Sequence, residues 1–475
     1  MLLEMVADVV GDQVAVGSLT YAQLLERASA GSQLIGDRLV LVDTNSDAVP
    51  IGLFSAALAG VPFVPVNYRL ADDSLRAIIE RAAPGTAVVD ASVVSRISDI
   101  DGIDLLDRES FLEACTQAAP RTNAPSDPEA IAVLLFTSGT TGAPKGAVLR
   151  HQHLTSYVLG TVEFLGASQD DAALVSVPPY HIAGIAAVLS SVYAGRRIVY
   201  LPQFTPESWV EVARAEAITH AMVVPTMLGR ILDHLEVTGE GLPALRHLSY
   251  GGGRMPVSVV ERALKLLPEA GFVNAYGLTE TSSTLAILTP DDHREASASD
   301  DPAVRARLGS VGRPLPTIEL EIRDGEIWVR GEQVSGEYLG IGAAVRDDGW
   351  FPTNDGGRLD EGGYLFVDGR LDDVIVRGAE NLSPGEIEDV LVEHPAVSDA
   401  AVVGAPDDEW GEVPIAFVVK NGGTSEGELQ QWVRDRLRSS RVPASVTFLD
   451  ALPYSETGKL LRRLLRTKSH GGLNR

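Results

Sequence analysis

"AIAVLLFTSGTTGAPKGAV", Ala130 to Val148, reads as an apolar strand that empties into a loop of glycines, hydroxyls and one lysine. A Walker-type phosphate loop requires G-x-x-x-x-G-K-[ST], with backbone N–H groups around the phosphates. Here Gly139, Gly142 and Lys145 are spaced differently, and Pro144 removes one backbone donor. The donor chemistry survives the failed motif, because amides and hydroxyls of such a loop still face an anion. A plain surface loop is the competing reading of this stretch taken alone.

Outward from it, the first 300 residues alternate short β-branched runs with helical segments. "RLVLVD" precedes "AVPIGLFSAALAG", "VPFVPV" precedes "SLRAIIERAA", and "HAMVVP" precedes "TMLGRILDHL". Such alternation predicts βαβ units and parallel sheets, whose ligands bind beyond the carboxyl ends of strands. Two of those ends are "LLFTSGTTG" and "LSYGGG". From about Thr317 the pattern becomes antiparallel, "TIELEIRDGEIWVRG" and "GGYLFVDGRLDDVIV", with Asp-Gly pairs expected between strands. Beyond lies a small α+β unit that opens on "LSPGEIEDVLVEH". There Ser383 is expected to cap the helix, with Pro384 at its first position and Glu386 completing a capping box. The fold class is therefore α/β: a large N-terminal domain of parallel-rich sheets with a small barrel-like β region, residues 1–370, and a smaller mobile C-terminal domain, 371–475.

Length and charge narrow the function. A chain of 475 residues exceeds one compact core. Its formal net charge of −26 repels nucleic acid and anionic lipid. The single cysteine, Cys115, excludes an internal disulfide framework and suits a reducing compartment. It sits in helix-like "FLEACTQA" and reads as packing. "MLLEMVADVV" lacks the basic start of a signal peptide. The uncharged run Val49 to Val66 is broken by three prolines and two glycines, so a short helix and a strand are expected instead of a membrane span. A cytoplasmic enzyme without an integral membrane segment is the reading.

Three further segments carry polar residues. In "NAYGLTETSS" the Tyr276 ring could stack on a base, with Thr279 and Glu280 toward phosphate and metal; an ordinary helix cap at Thr279 is the alternative. "DGGRLDEGGYLFVDGRLDD" holds Asp355 and Arg370 on a hairpin, and "LPYSETGKLLRR" holds Lys459 near the end of the chain. In this order the segments resemble the adenylate-forming superfamily of acyl-CoA synthetases, peptide-synthetase adenylation domains and luciferases, most closely free-standing fatty or aryl acid–CoA ligases. "PPYHIAGI", "NAYGLTE", "TNDGGRLD", "GRLDDVIVRGAENLSPGEIE" and "LPYSETGK" match its later motifs from about Leu19 to Leu465.

The resemblance implies two half-reactions: a carboxylate attacks the α-phosphate of Mg-ATP to give acyl-AMP and pyrophosphate, and the thiol of CoA then displaces AMP. It implies that Thr137, Ser138, Gly139, Thr140, Thr141, Gly142 and Lys145 hold the outer phosphates. Gly251, Gly252 and Gly253, with Asn274, Ala275, Tyr276 and Gly277, would form the adenine slot. Thr279 would meet the α-phosphate and Glu280 the magnesium ion. Asp355 would accept from the ribose hydroxyls beside Arg370 and Val367. His181, Gly184 and Thr226 would lie at the acyl pocket, His181 near the reacting carboxylate. Asp372 would be the hinge, and Arg377, Gly378, Ala379 and Glu380 would flank the path of CoA. Three residues depart from the pattern: Asn354 and Ala379 replace glycines, and Glu337 stands where a glycine usually precedes the tyrosine. A methyl group at Ala379 would crowd the incoming thiol.

The acid is expected to be an apolar monocarboxylic one. Residues 180–195, "YHIAGIAAVLSSVYAG", offer no carboxylate for an ammonium and no cation for a second carboxylate. The implied partners are that small acid, ATP and CoA, with a separate carrier protein as the alternative acceptor and a homodimer left open. A catalytically dead nucleotide- or acyl-binding relative is countered by the retained Glu280, Arg370 and Lys459. Luciferase-type oxygenation would require a special substrate. Lys459→Ala is expected to slow acid-dependent pyrophosphate release by about 10²–10³-fold with ATP binding largely intact, because a donor aimed at developing charge acts mainly in the transition state. Unchanged pyrophosphate release would remove Lys459 from the reaction.

Overall fold

The computed structural model describes residues 2–119, 127–137, 145–378, 380–455 and 460–472. Two large sheets carry the N-terminal part. The first runs edge to edge through the strands Arg313–Pro314, Ser283–Leu288, Gly271–Leu278, His247–Gly251, His220–Val223, Ala172–Val175, Arg197–Tyr200, Val14–Val16 and Leu19–Thr20. The second orders Gly342–Ala343, Glu337–Tyr338, Lys145–Arg150, Ile131–Thr137, Phe63–Pro65, Leu39–Val42, Gly85–Val89 and Ile103–Asp107. Their centres are parallel, as the alternation of runs and helices predicts. Parallel strands are covered on both faces, and the continuous burial of Leu39–Val42 and Gly85–Val89 is that covering.

A helical layer is shared by the two sheets. Leu24 and Ala28 of helix Tyr21–Gly31, Ile51 and Phe54 of Ala48–Ala59, and Ile185, Val188 and Val192 of Ile182–Ala194 join one core. That core also takes Leu39, Val133 and Leu135 from one sheet and Val16, Val175 and Ile198 from the other. A helix between two sheets has no wet face, which explains the uncharged run that raised the membrane question. It resolves into helix Ala48–Ala59, buried from Ala48 through Ala56, and strand Phe63–Pro65. Among the described residues no helix is long and apolar enough to cross a membrane. Cys115 is buried in the same core, as packing requires.

The signature stretch differs from the strand–loop–helix of a P-loop. Ile131–Thr137 returns as the antiparallel strand Lys145–Arg150, with Thr137 opposite Lys145. The four-stranded sheet of Glu319–Arg323, Glu326–Arg330, Phe351–Leu359 and Leu365–Arg370 is antiparallel as expected. Asp324 and Gly325 both have positive φ, the two-residue turn that an Asp-Gly pair signals. The second Asp-Gly pair is a correction: Asp368 and Gly369 lie inside a strand beside a bulge, and the chain reverses earlier, between Leu359 and Leu365.

The C-terminal unit is a five-stranded sheet with helices Pro384–Val392, Glu426–Arg434 and Arg462–Gly472. Its expected capping box is absent. Ser383 donates instead to the Asp368 carbonyl at 2.6 Å, and Glu386 pairs with Arg441 at 2.8 Å. Both side chains thus tie the helix start to neighbouring segments. Arg254, directly after the glycine turn, forms an ion pair with Asp389 of that helix.

Helix Ile182–Ala194 is pinned at its first turn. A Cβ on Gly184 would stand 2.5 Å from the Pro178 carbonyl oxygen, and backbone on both sides leaves no slack. Gly184→Ala is therefore expected to lower stability by about 1–3 kcal/mol in denaturant titration. An unchanged midpoint would show that the Pro178–His181 turn moves freely.

Candidate active site

Asp355 is only 6 % exposed, so its carboxylate requires compensation. The hairpin register places it opposite Arg370, whose Nη1 lies 3.1 Å from Oδ1. The Tyr276 hydroxyl, from the third strand of the nine-stranded sheet, donates to Oδ2 at 2.8 Å. Burial, then the Asp355 charge, holds the Tyr276 phenol well above its usual range, so it stays a donor. Arg370 also donates from Nη1 to the Thr353 carbonyl at 3.1 Å, while its Nε is buried with no partner among the described residues. Beside them Val367 packs, half-buried, against the core beneath Tyr276.

Asn354 explains one departure from the family pattern. Its φ is +59°, a conformation glycine adopts freely and asparagine tolerates best among the rest. The side chain adds what a glycine could not: Nδ2 donates to Asp372 Oδ2 at 2.8 Å. The candidate hinge is thereby joined to the hairpin of Asp355. Glu337 has an equally local reason, a bidentate pair with Arg150 across adjoining strands, Oε2 at 2.8 Å.

Beyond Tyr276, Thr279 and Glu280 occupy a single 3₁₀ turn, Thr279–Thr281. The Glu280 carbonyl accepts from the amides of Ser335 and Gly336, and its carboxylate accepts from the Tyr338 hydroxyl at 2.7 Å. Lys145 Nζ stands 5.4 Å from the centre of that Tyr338 ring, bringing the signature strand beside Glu280. Thr137 faces Lys145 across the strand pair and donates to its carbonyl. Ser138, Gly139, Thr140, Thr141 and Gly142 lie outside the described residues.

The glycine turn is required by the protein itself. A Cβ on Gly251 would stand 2.2 Å from the Ala275 carbonyl oxygen of the adjoining strand, and Gly252 has φ +79°. Gly253 is exposed beside it. Gly277 sits at a bulge where a Cβ would strike the Ser283 carbonyl. Asn274 is buried and donates from its amide to the Ser310 carbonyl at 3.0 Å, holding that loop against the strand.

Two cavities adjoin this region. One of 330 Å³ is lined by Tyr68, Tyr180, Phe204, Thr226 and Arg230 and, from the C-terminal unit, Tyr454 and Ser455. The other, 180 Å³, runs between helix Ile182–Ala194 and the nine-stranded sheet and reaches Ala275. His181 caps that helix, its Nδ1 accepting from the Ala183 amide at 3.2 Å. Thr226 therefore lines the first cavity, while Gly184 packs on Pro178 and its neighbours Ala183, Ala186 and Ala187 line the second. On the C-terminal side, Arg377 donates to the Ser440 carbonyl and stacks on Trp410, Gly378 bonds the Trp410 carbonyl, and Glu380 lies 3.5 Å from Arg441. Ala379 and Lys459 lie outside the described residues.

The donors fit a nucleotide. Arg370 Nε is orphaned beside a buried carboxylate that can accept from hydroxyls, and an open glycine turn lies at a strand end nearby. No group of three metal-ligating side chains occurs among the described residues. Glu280 could thus hold magnesium only in company with phosphate oxygens, which is the usual habit of that ion.

The AMP-binding enzyme family profile matches residues 3–339, and the AMP-binding enzyme C-terminal domain matches residues 386–459. The chain belongs to the AMP-binding, adenylate-forming enzymes, and within them to the acid–CoA ligases. It is 35% identical over 396 residues to a 2-succinylbenzoate–CoA ligase of Bacillus cereus, covering 79% of each chain. Among solved structures it resembles o-succinylbenzoate CoA synthetase (MenE) of Bacillus subtilis in complex with an acyl-adenylate intermediate. That match has TM-score 0.85 and 29% identity, over 98% of this chain and 97% of the other. ATP-bound MatB of Rhodopseudomonas palustris superposes with TM-score 0.88 and 26% identity, covering 98% of each.

For an adenylate-forming ligase, sequence reasoning missed Tyr338, the partner of Glu280, although it noted the glutamate before it. It also missed Ser249, His220 and His247, whose side chains share the inner face of the sheet only because of strand register. Asp355→Ala is expected to weaken AMP and ATP alike by roughly 10–100-fold, the worth of about one hydrogen bond to a charged acceptor. Calorimetry showing wild-type AMP affinity would leave Asp355 a structural residue of the hairpin.

Proposed function

We propose that this ligase activates an aryl carboxylic acid of the 2-succinylbenzoate type, with ATP and magnesium, and passes the acyl group to CoA. In the first step a carboxylate oxygen bonds to the α-phosphorus and pyrophosphate leaves. In the second the CoA sulfur bonds to the acyl carbon and AMP leaves. The observation that carries the reading is the 180 Å³ cavity, which ends beside Ala275 on the strand that carries Tyr276. An acid lodged there has its reactive end next to the nucleotide residues, and the likeness to 2-succinylbenzoate ligases supplies the acid's class.

Asp355 and Arg370 would fix the ribose, and Tyr276 would orient Asp355 while offering its ring to the base. Thr279, on the turn that follows, would face the α-phosphate, and Lys145 the outer phosphates. Glu280 would share the magnesium ion, whose charge, when bound, eases departure of pyrophosphate. Ser455, four residues before Lys459, lines the 330 Å³ cavity together with Thr226. That placement supports bringing Lys459 to the reacting carboxylate. Residues 371–475 would then turn about Asp372 to admit CoA, past Arg377, Gly378, Ala379 and Glu380. The reaction is assigned to the cytoplasm, where ATP and CoA are at hand.

The enzyme is to be incubated with ATP, Mg²⁺ and a panel of aryl and aliphatic acids, with and without CoA, and the products weighed by mass spectrometry. 2-Succinylbenzoate should give acyl-AMP without CoA and the thioester with it. Turnover confined to aliphatic acids would overturn the aryl reading. An acyl-AMP that CoA leaves intact and a carrier protein discharges would replace CoA as the acceptor.

A further inference from the structure

The 180 Å³ cavity is built by small residues on both walls. Ala183, Ala186, Ala187 and Ser190 face it from the helix, and Ala173, Ser176, Ser249 and Ala275 from the sheet and its flanks. Large side chains on the same helix, Ile185, Val188 and Val192, belong to the core between the sheets. The cavity extends from Ala275, level with Gly251, down to His247 at the other end of the adjoining strand. Four residues of strand span about 13 Å.

Its far end is polar. His220 and His247 lie side by side on neighbouring strands, ring centres 4.9 Å apart, and Arg196 joins them. Burial, followed by the charge of Arg196 and by His247, pushes the His220 imidazole down to about 3, and His247 is lowered in the same way. Both rings are therefore neutral at physiological pH. Nearby carboxylates are committed elsewhere: Asp171 pairs with Arg246 at 2.9 Å, and Glu216 with Arg197 at 2.7 Å.

Arg196 itself is anchored only through its backbone. Its amide donates to the Ser191 carbonyl, and its own carbonyl accepts from the Tyr21 hydroxyl at 2.9 Å. The guanidinium makes no hydrogen bond or ion pair among the described residues, and its Nε is buried without a partner. The side chain is half-buried, with Asp171 as its nearest opposing charge, and a partly desolvated cation without a direct partner favours an anion beside it. An arginine presents a planar fork that suits a carboxylate. It is also the residue directly after Tyr180–Gly195, the stretch whose lack of cations suggested a monocarboxylic acid.

We propose that Arg196 is the specificity determinant for a second carboxylate on the substrate, its long side chain reaching up from the far end of the acyl cavity to meet it. This rests on the proposed use of the cavity by the acid and narrows the substrate to a dicarboxylic one. The neutral imidazoles of His220 and His247 flank the anion without adding a competing charge.

The test compares wild type and Arg196→Met on matched acids. 2-Succinylbenzoate is set against 4-oxo-4-phenylbutanoate, which lacks the ring carboxylate, and against 2-butanoylbenzoate, which lacks the chain carboxylate; octanedioate is set against octanoate. AMP affinity of the variant reports that the fold is intact. Wild type should favour the diacid in the pair it uses, and Arg196→Met should cut kcat/KM for that diacid about 100-fold, mainly through KM, while sparing the monoacid. Arg196→Lys should recover part of the loss. If Met lowers diacid and monoacid equally, or leaves the preference unchanged, the assignment of Arg196 falls, whichever acids are used. If turnover is confined to the aliphatic pair, the aryl reading falls, and the diacid preference in that pair still decides for or against Arg196.

Discussion

A single buried carboxylate joins the parts of this enzyme that have to act together. Asp355 stands on the small antiparallel sheet and is held by Tyr276 from the nine-stranded sheet and Arg370 from its own hairpin. Unpaired, it would cost several kcal/mol; paired, it fixes how the two sheets meet. The neighbouring Asn354 extends the connection to Asp372. A second clasp, Tyr338 to Glu280, ties the eight-stranded sheet to the same strand end. The residues that the family resemblance assigns to ribose, phosphate and magnesium are thus the ones that hold three sheets in register.

The same economy shapes the acid side. Helix Ile182–Ala194 must be apolar toward the core between the sheets, yet its other face is alanine and serine. That face leaves a slot along the strands instead of filling it. The slot starts beside Ala275 and ends at Arg196, whose guanidinium is unpaired among the described residues, so one helix determines both the position of His181 and, in the proposed function, the depth available to the acyl group. The larger cavity lies on the other side of the Pro178–Tyr180 turn, with Tyr454 and Ser455 in its wall.

Much of this was legible in the chain itself. Alternating runs and helices gave the parallel sheets, and the family resemblance carried by short motifs implied that Tyr276, Glu280, Asp355 and Arg370 share one site. What stayed hidden depended on register and on distance along the chain. Asp368-Gly369 looks like a turn, but a bulge keeps it within a strand. Ser383 looks like a helix cap, but a carbonyl fifteen residues earlier, at Asp368, engages its hydroxyl. Asn354 is an oddity until its positive φ is known. Arg196 directly precedes the strand Arg197–Tyr200, and only the packing of the helix above it brings it into a cavity.

The central claim is that nucleotide and acid meet at Ala275 with the acid in the narrower cavity. A crystal structure with a non-hydrolysable 2-succinylbenzoyl-adenylate analogue tests it most directly. The account predicts ribose hydroxyls on Asp355, the acyl chain between Ala187 and Ser249, and the remote carboxylate within hydrogen-bond distance of Arg196. An acyl chain lying instead among Phe204, Thr226 and Tyr454, with Arg196 still unpaired, would contradict it.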